Sequence, residues 1–358
     1  MSQPGPGPLK LVERAAKVAL ALVASVLLWR PWRRARAHEQ LKALRRVLLV
    51  RLDNRVGEAL LLTPLVNALA PDAAVEVLVH EKVARVLEET PGLRRVRSFD
   101  RRLLWLGPFA PGVRQLRAEN FEVVVNASNW SEVSVTGALI SRLISPRAAL
   151  VGPSAWPGGA LMDVPVTPQP DTRSEVEQRL HLLAPLNINP VAAALSFRAP
   201  RRSARLAPTL ERLGSSRHAV LNPGGRLDWR RVPLEVFEHA GRTLAAKGRT
   251  CVVTWGPGEE PLAQELAGRI PGAWVAPATD LDELACVMRA AGVVVTNNTG
   301  PMHLAVALGV PTLAFFLHMP MERWAHQQPP HRALDLTPLD ARARVEAAVR
   351  ETTALLDS

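Results

Sequence analysis

The chain has 358 residues, 47% hydrophobic and 22% charged, a length that suits two α/β units and a composition too apolar for a disordered chain. A formal charge of +11 and a pI near 11.0 favour acidic partners such as phosphates, nucleotides, anionic lipid or nucleic acid, without choosing among them. Two cysteines, Cys251 and Cys286, show no metal-type spacing and argue against a disulfide framework, so a reducing cytoplasm is the expected compartment.

Residues 1–44 begin with a Pro/Gly-rich stretch and continue into an apolar run, Val18 to Trp29. That run is shorter than the roughly twenty residues a spanning helix needs. No small-residue cleavage site follows it. Trp29 and Trp32 stand beside Arg30, Arg33, Arg34 and Arg36, an aromatic-plus-cation belt of the interfacial kind. The segment is therefore expected to lie on an anionic membrane face. A core or partner-packing helix and a true spanning helix are the alternatives.

From Arg46 the pattern alternates. VLLVRL (47–52), VEVLVH (75–80) and FEVVVNAS (121–128) are short apolar runs of the buried parallel kind. Helical spacing covers 57–69, 81–89, 134–144 and 174–186, and 152–173 reads as loop. A Pro/Arg-rich linker near 199–208 precedes a second round. Its strands are expected from residue 218, at 250–256, at 293–298 and at 312–316, and its helices at 233–247, 259–269, 281–291 and 341–356, with Asp280 as an N-cap. Such alternation implies right-handed βαβ crossovers and parallel sheets. The expected organisation is a membrane-associating segment (1–44), Rossmann-like domains at 45–200 and 201–340, and a terminal helix (341–358). Two Rossmann-like halves of α/β class would face a central cleft where strand ends meet helix N-termini.

The nicotinamide fingerprint G-x-G-x-x-G does not follow the first strand, since residues 51–58 hold one glycine, and no Walker-type phosphate loop occurs. What remains is a set of polar strand ends. Gly57 permits a tight turn and Glu58 opens a helix, where the dipole favours an ionised carboxylate suited to proton removal; a first-turn Glu that only stabilises its helix is the competing reading. Asn222-Pro223-Gly224-Gly225, followed by Arg226, Arg230 and Arg231, offers close backbone approach and guanidinium groups for phosphate, against an ordinary solvated loop. Glu259, after Trp255-Gly256-Pro257-Gly258, could take ribose hydroxyls or favour its own helix. In Asn297-Asn298-Thr299-Gly300-Pro301 an apolar strand gives way to a polar turn. A helix starting at Pro301 would leave the Met302 and His303 N–H groups for an anion. Arg94, Arg95 and Arg97 lie in a basic run that could meet an acidic acceptor or simply be solvated. His318, His326 and His331 are irregularly spaced and read as a rim rather than a metal site.

Three of these segments together resemble a known family. VLLVRLDNRVGEALLLTPLVNAL, NPGGRLDWRRVPLEVFEHAGRTLAAKG and TNNTGPMHLAVALGVPTLAFF are similar, in order, to the motifs of the heptosyltransferases of glycosyltransferase family 9, over about residues 45–340. The resemblance implies a GT-B fold and an inverting transfer from a nucleotide sugar, usually ADP-heptose, to a lipopolysaccharide-core or related lipid-linked acceptor at the inner membrane. It implies no metal and no cofactor beyond that co-substrate. It places Glu58 at the family's general base, Arg230 near the cation that holds the diphosphate, and Thr299, Gly300, Pro301, Met302 and His303 in the donor-binding turn. Three positions depart from the pattern: Glu58 replaces Asp behind a one-residue insertion at Asn54-Arg55, Asn298 replaces Asp, and Val232 stands where Trp is common. The rivals are a catalytically idle sugar-nucleotide binder, a relative using another nucleotide sugar, and a nucleic-acid-binding protein. The last lacks basic stripes interleaved with aromatics, so no nucleic-acid partner is expected.

Overall fold

The computed structural model describes residues 19, 23, 31–42, 44–98, 111–130, 134–169, 174–188, 193–198, 200–214 and 218–357. Apart from residues 19 and 23, the predicted membrane-associating segment lies outside the described residues as far as Arg30. Helix α1 (Pro31–Gln40) follows. Its end docks on the chain, with Ala37 and Leu41 buried and Gln40 Nε2 donating to the Arg147 carbonyl at 3.0 Å. Among the described residues no helix is long and apolar enough to cross a membrane.

Two compact units are present. The first draws its described residues from Met1–Asn54, Leu62–Pro170 and Val176–Ala193, the second from Arg55–Leu61, Asp171–Glu175 and Ala194–Ser358. In the first, β1 (Arg46–Arg51) is followed, after the α2 helix (Val56–Leu60) that belongs to the second unit, by α3 (Thr63–Leu69), β2 (Ala74–Val79), α4 (Glu81–Leu87) and β3 (Leu93–Ser98). Next come α5 (Pro111–Ala118), β4 (Val123–Asn126), α6 (Val135–Ile144), β5 (Ala149–Pro153), β6 (Val164–Val166) and α7 (Glu175–Leu180). All six strands are parallel, in the order β3-β2-β1-β4-β5-β6. Strands β1, β2 and β4 are buried almost throughout, as a sheet covered on both faces requires.

The second unit holds α8 (Ala207–Leu213), β7 (His218–Asn222), α9 (Leu234–Ala246), β8 (Thr250–Val253), α10 (Glu260–Arg269), β9 (Trp274–Val275) and α11 (Leu281–Arg289). It continues with β10 (Val293–Asn297), α12 (Gly300–Ala307), β11 (Thr312–Phe316), α13 (Met321–Trp324), β12 (His331–Asp335) and α14 (Ala341–Leu356). Its sheet order, β12-β11-β10-β7-β8-β9, is the first unit's order read from the other edge. Each unit is thus a complete doubly wound sheet whose order reverses at one point, between β1 and β4 or between β7 and β10. Phe237 from α9 packs edge-on against Phe315 of β11 at 5.2 Å within the core under this sheet.

Several elements differ from expectation for identifiable reasons. The single helix predicted over 57–69 is two, because Pro64 has no N–H and its ring excludes a continuous helix through the Leu60 carbonyl. The first piece, α2, belongs by its packing to the second unit, although its chain neighbours do not. The last two residues of β5 and all of β6 fall in the stretch 152–173 read as loop from its Pro and Gly content. Pairing to β4 and the Asp163 carboxylate, which accepts the Leu150 N–H at 3.0 Å and binds Arg142 at 2.6 Å, override that composition. Asp280 is the N-cap of α11 in a full capping box with Glu283, as its position before the helix indicates.

Candidate active site

The switch point of the second unit is built from two strand ends. Strand β7 finishes at Asn222 and passes into Pro223-Gly224-Gly225, while β10 finishes at Asn297 and passes into Asn298-Thr299. Asn297, fully buried, ties them together. Its Nδ2 donates to the Pro223 carbonyl at 2.7 Å and to that of Gly224 at 3.1 Å, and its Oδ1 accepts the Val232 N–H at 3.3 Å. Glu259 fastens the neighbouring strand end in the same way. Its Oε1 accepts the Gly225 N–H at 2.8 Å and its Oε2 the Gly256 N–H at 3.0 Å. The fit depends on glycine, because a Cβ on Gly224 would stand 2.0 Å from Glu259 Oε2. Asn222 is also committed to structure, through Thr254 Oγ1 at 3.0 Å.

These loops surround a cavity of about 400 Å³, within the roughly 300–1,000 Å³ usual for small-molecule sites. Glu58, Asn222, Gly224, Gly225, Arg226, Arg230, Glu259, Asn298, Thr299, Gly300, Pro301 and His303 all line it, so one cavity gathers residues from four separate segments. Met302 does not line it and is buried beside Ala314 and Phe316. Arg94, Arg95 and Arg97 are not among the lining residues either. They lie on β3 of the first unit in an ion-pair network with Glu76 and Glu119, where Arg97 Nε meets Glu76 at 2.8 Å and Arg95 meets Glu119 at 3.4 Å.

The electrostatics of the cavity are set by arginines. Burial, followed by the charges of Arg226 and Arg55, pushes the Arg230 guanidinium below its ordinary pKa, although an arginine stays charged. Its buried Nε has no hydrogen-bond partner among the described residues. By contrast Arg231 serves the loop, donating to the Gly225 carbonyl at 2.6 Å and pairing with Asp228 at 3.0 Å. Helix α12 starts one residue earlier than expected, at Gly300 with Thr299 as N-cap. The Met302 N–H is consequently taken by the Thr299 carbonyl at 3.1 Å, and the first amide of the helix, at Gly300, is the donor that the helix start offers an anion.

The carboxylate enters from α2. Gly57 packs so closely on α12 that a Cβ there would lie 2.6 Å from His303 Cδ2. That contact brings Glu58 into the cavity wall, with its side chain 6% exposed and its Oε1 3.2 Å from Arg55 Nη2. A carboxyl group paired with an arginine, a cluster of guanidinium groups and a helix start in one cavity are the parts a transfer from a phosphorylated leaving group needs.

The glycosyltransferase family 9 (heptosyltransferase) profile matches residues 112–351, more than half of the chain. The chain belongs to glycosyltransferase family 9. It is a sugar-transferring enzyme. No curated protein sequence matches it significantly. Among solved structures it is similar to the glycosyl transferase family 9 protein of Veillonella parvula DSM 2008 (TM-score 0.72, 19% identity, covering 89% of this chain and 99% of that one). It is also similar to the E. coli heptosyltransferase WaaC with ADP (0.64, 23%, 87% and 98%) and to the E. coli ADP-heptose lps heptosyltransferase II (0.62, 17%, 86% and 99%). These likenesses are of fold, a GT-B type with two Rossmann-like domains.

Several residues of this glycosyltransferase's cavity escape a reading of its sequence. Arg55 stands out only as an insertion before Glu58. Asn297 looks like one of two adjacent strand-end amides, and its hydrogen bonds to a distant loop leave no local pattern. Met319 and Trp324 line the cavity without any motif, and both come from the segment after β11 that reads as a Pro-rich rim.

Proposed function

We propose that this family 9 glycosyltransferase transfers heptose from ADP-heptose to a lipid-linked acceptor of the lipopolysaccharide-core type, with inversion at the anomeric carbon. The observation that carries the reading is the gathering of Glu58, Arg230 and the start of α12 around one cavity at the switch point of the second sheet. The donor's diphosphate is assigned to Arg226, Arg230 and the Gly300 amide, and its ribose to the region of Glu259. Glu58 takes the proton of the acceptor hydroxyl. The oxygen attacks the anomeric carbon from the face opposite the diphosphate, the bond from that carbon to the phosphate oxygen breaks, and the nucleoside diphosphate leaves with the electron pair. Developing charge on it is met by donors already in place, so the reaction is assigned as metal-independent, and EDTA is expected to leave the rate unchanged.

ADP-heptose is chosen because two enzymes of like fold are described with ADP or as ADP-heptose enzymes. Asn298 lines the cavity with a neutral amide and bears on which sugar is accepted. A screen of nucleotide sugars for released nucleoside diphosphate tests the donor. ADP-heptose is expected to give the highest rate, and a faster UDP- or GDP-sugar would overturn the assignment. Attachment to the cytoplasmic face of the inner membrane is proposed for the N-terminal segment, residues 1–44. Removing residues 1–44 should move the protein to the soluble fraction, and unchanged fractionation would contradict the anchor.

A further inference from the structure

Arg55 belongs to the insertion that sets this chain's base turn apart from the family pattern. It is the last residue before α2, in extended conformation (φ −103°, ψ 127°), and it lines the same cavity as Arg226, Arg230 and Gly300. Its side chain is half exposed, and its Nη2 stands 3.2 Å from Glu58 Oε1. The backbone that carries it runs against the start of α12: a Cβ added to Gly300 would lie 3.7 Å from Val56 Cβ and 3.8 Å from the Gly57 nitrogen. Arg55 thus adjoins the residue that packs on the helix start whose first amide is offered to an anion. Burial first, then the charges of Arg226 and Arg55, lower the pKa of Arg230, so the charge of Arg55 is felt inside the arginine cluster.

The cavity's carboxylates, Glu58 and Glu259, are placed differently toward these cations. Glu259 accepts from the Gly225 and Gly256 amides and stands 3.6 Å from Arg231, whereas Glu58 pairs with Arg55. An ion pair with one partner half in water is weak, so a diphosphate, with several charged oxygens, can compete for that guanidinium. The geometry of an inverting transfer says which phosphate it meets. The acceptor oxygen served by the base lies across the anomeric carbon from the leaving oxygen, so a cation beside the base is nearest the phosphate that bears the sugar. We propose that Arg55 is a further cation of the leaving-group site: its guanidinium passes from Glu58 to the sugar-bearing phosphate when the donor binds, leaving the Glu58 carboxylate to the acceptor hydroxyl. The inserted arginine and the longer acid at position 58 then belong together, because the base holds the guanidinium until the donor arrives.

The role in transfer rests on the nucleotide-sugar reading, whereas the diphosphate contact does not, and the test separates them. ADP, AMP and inorganic pyrophosphate are titrated into the full chain by calorimetry. Arg55→Ala should weaken ADP and pyrophosphate about tenfold and AMP less than about twofold. Arg55→Lys should recover ADP affinity to within about threefold of wild type, while Arg55→Gln, which keeps length without charge, should resemble the alanine variant. A crystal structure with ADP should place an Arg55 nitrogen within hydrogen-bonding distance of a β-phosphate oxygen and away from Glu58. Wild-type affinity for ADP and pyrophosphate in the alanine and glutamine variants overturns the inference even if kcat falls, since an arginine that only holds Glu58 would behave that way. Equal losses for AMP and ADP overturn the assignment to the sugar-bearing phosphate. A wild type that binds pyrophosphate but not ADP removes the proposed donor, and a loss of pyrophosphate affinity in the alanine variant then still upholds Arg55. A wild type that binds neither overturns both.

Discussion

Arg230 shows what a single side chain contributes here. Its guanidinium is partly buried, lies near the like charges of Arg226 and Arg55, and keeps a buried Nε with no hydrogen-bond partner among the described residues. Such a group costs stability in the empty protein and gains when an anion arrives. Arg230→Ala should weaken ADP binding by about 2 kcal/mol, roughly thirtyfold, as calorimetry would measure. Arg230→Lys should recover part of this, because charge is kept while the planar fork is lost. Unchanged ADP affinity in the alanine variant would remove Arg230 from the phosphate site. The sequence discloses this arginine through its place after the double glycine. It does not disclose that Arg231 next to it serves the loop, since that depends on the Gly225 carbonyl and Asp228 being within reach.

At the scale of elements the site is two strand ends held by side chains from elsewhere. Asn297 makes three hydrogen bonds to the β7–α9 loop while fully buried, so Asn297→Ala leaves two carbonyls and an amide to find new partners. A loss of roughly 1–3 kcal/mol in unfolding free energy is expected, read by chemical denaturation. ADP affinity should fall as well, because the glycine loop is no longer held against β10. Strands that are apolar on both faces were readable from their runs, and so were the polar turns at β7 and β10. Strand β3 was not, because its alternate residues are arginines that pair with Glu76 and Glu119. The short strands β9 and β12 are equally hidden, one being two residues long and the other an edge with half-buried polar side chains.

Over the whole molecule the alternation of strand and helix gave two parallel sheets, but a sequence without an internal repeat gave no sign that both sheets share one strand order. Nor did chain order reveal that α2 packs with the second unit. That packing rests on the missing side chain of Gly57, a contact set by residues some 240 positions apart in sequence. The second unit also carries a pH dependence. Burial lowers the pKa of His218, His326 and His331 in the folded state, whereas each binds a proton near pH 6.5 when unfolded. The unfolded chain thus binds more protons below that pH, and stability must fall as pH drops from 6.5. Each histidine contributes up to about 1.4 kcal/mol per pH unit in that window. The carboxyl of Glu283, held low by its hydrogen bond from Arg205, acts only at more acidic pH. His326→Gln should flatten the slope of unfolding free energy between pH 6.5 and 5 by close to one proton. An unchanged slope would mean that His326 is protonated in the folded protein.

The central claim is that Glu58 removes the acceptor proton in a cavity that binds the donor independently of it. Glu58→Gln keeps the size of the side chain and removes the base. Transfer from ADP-heptose to a lipid A–Kdo acceptor, followed by ADP release, should fall at least about a hundredfold in kcat, while ADP affinity stays within about threefold of wild type. A glutamine variant that turns over at the wild-type rate would contradict the account.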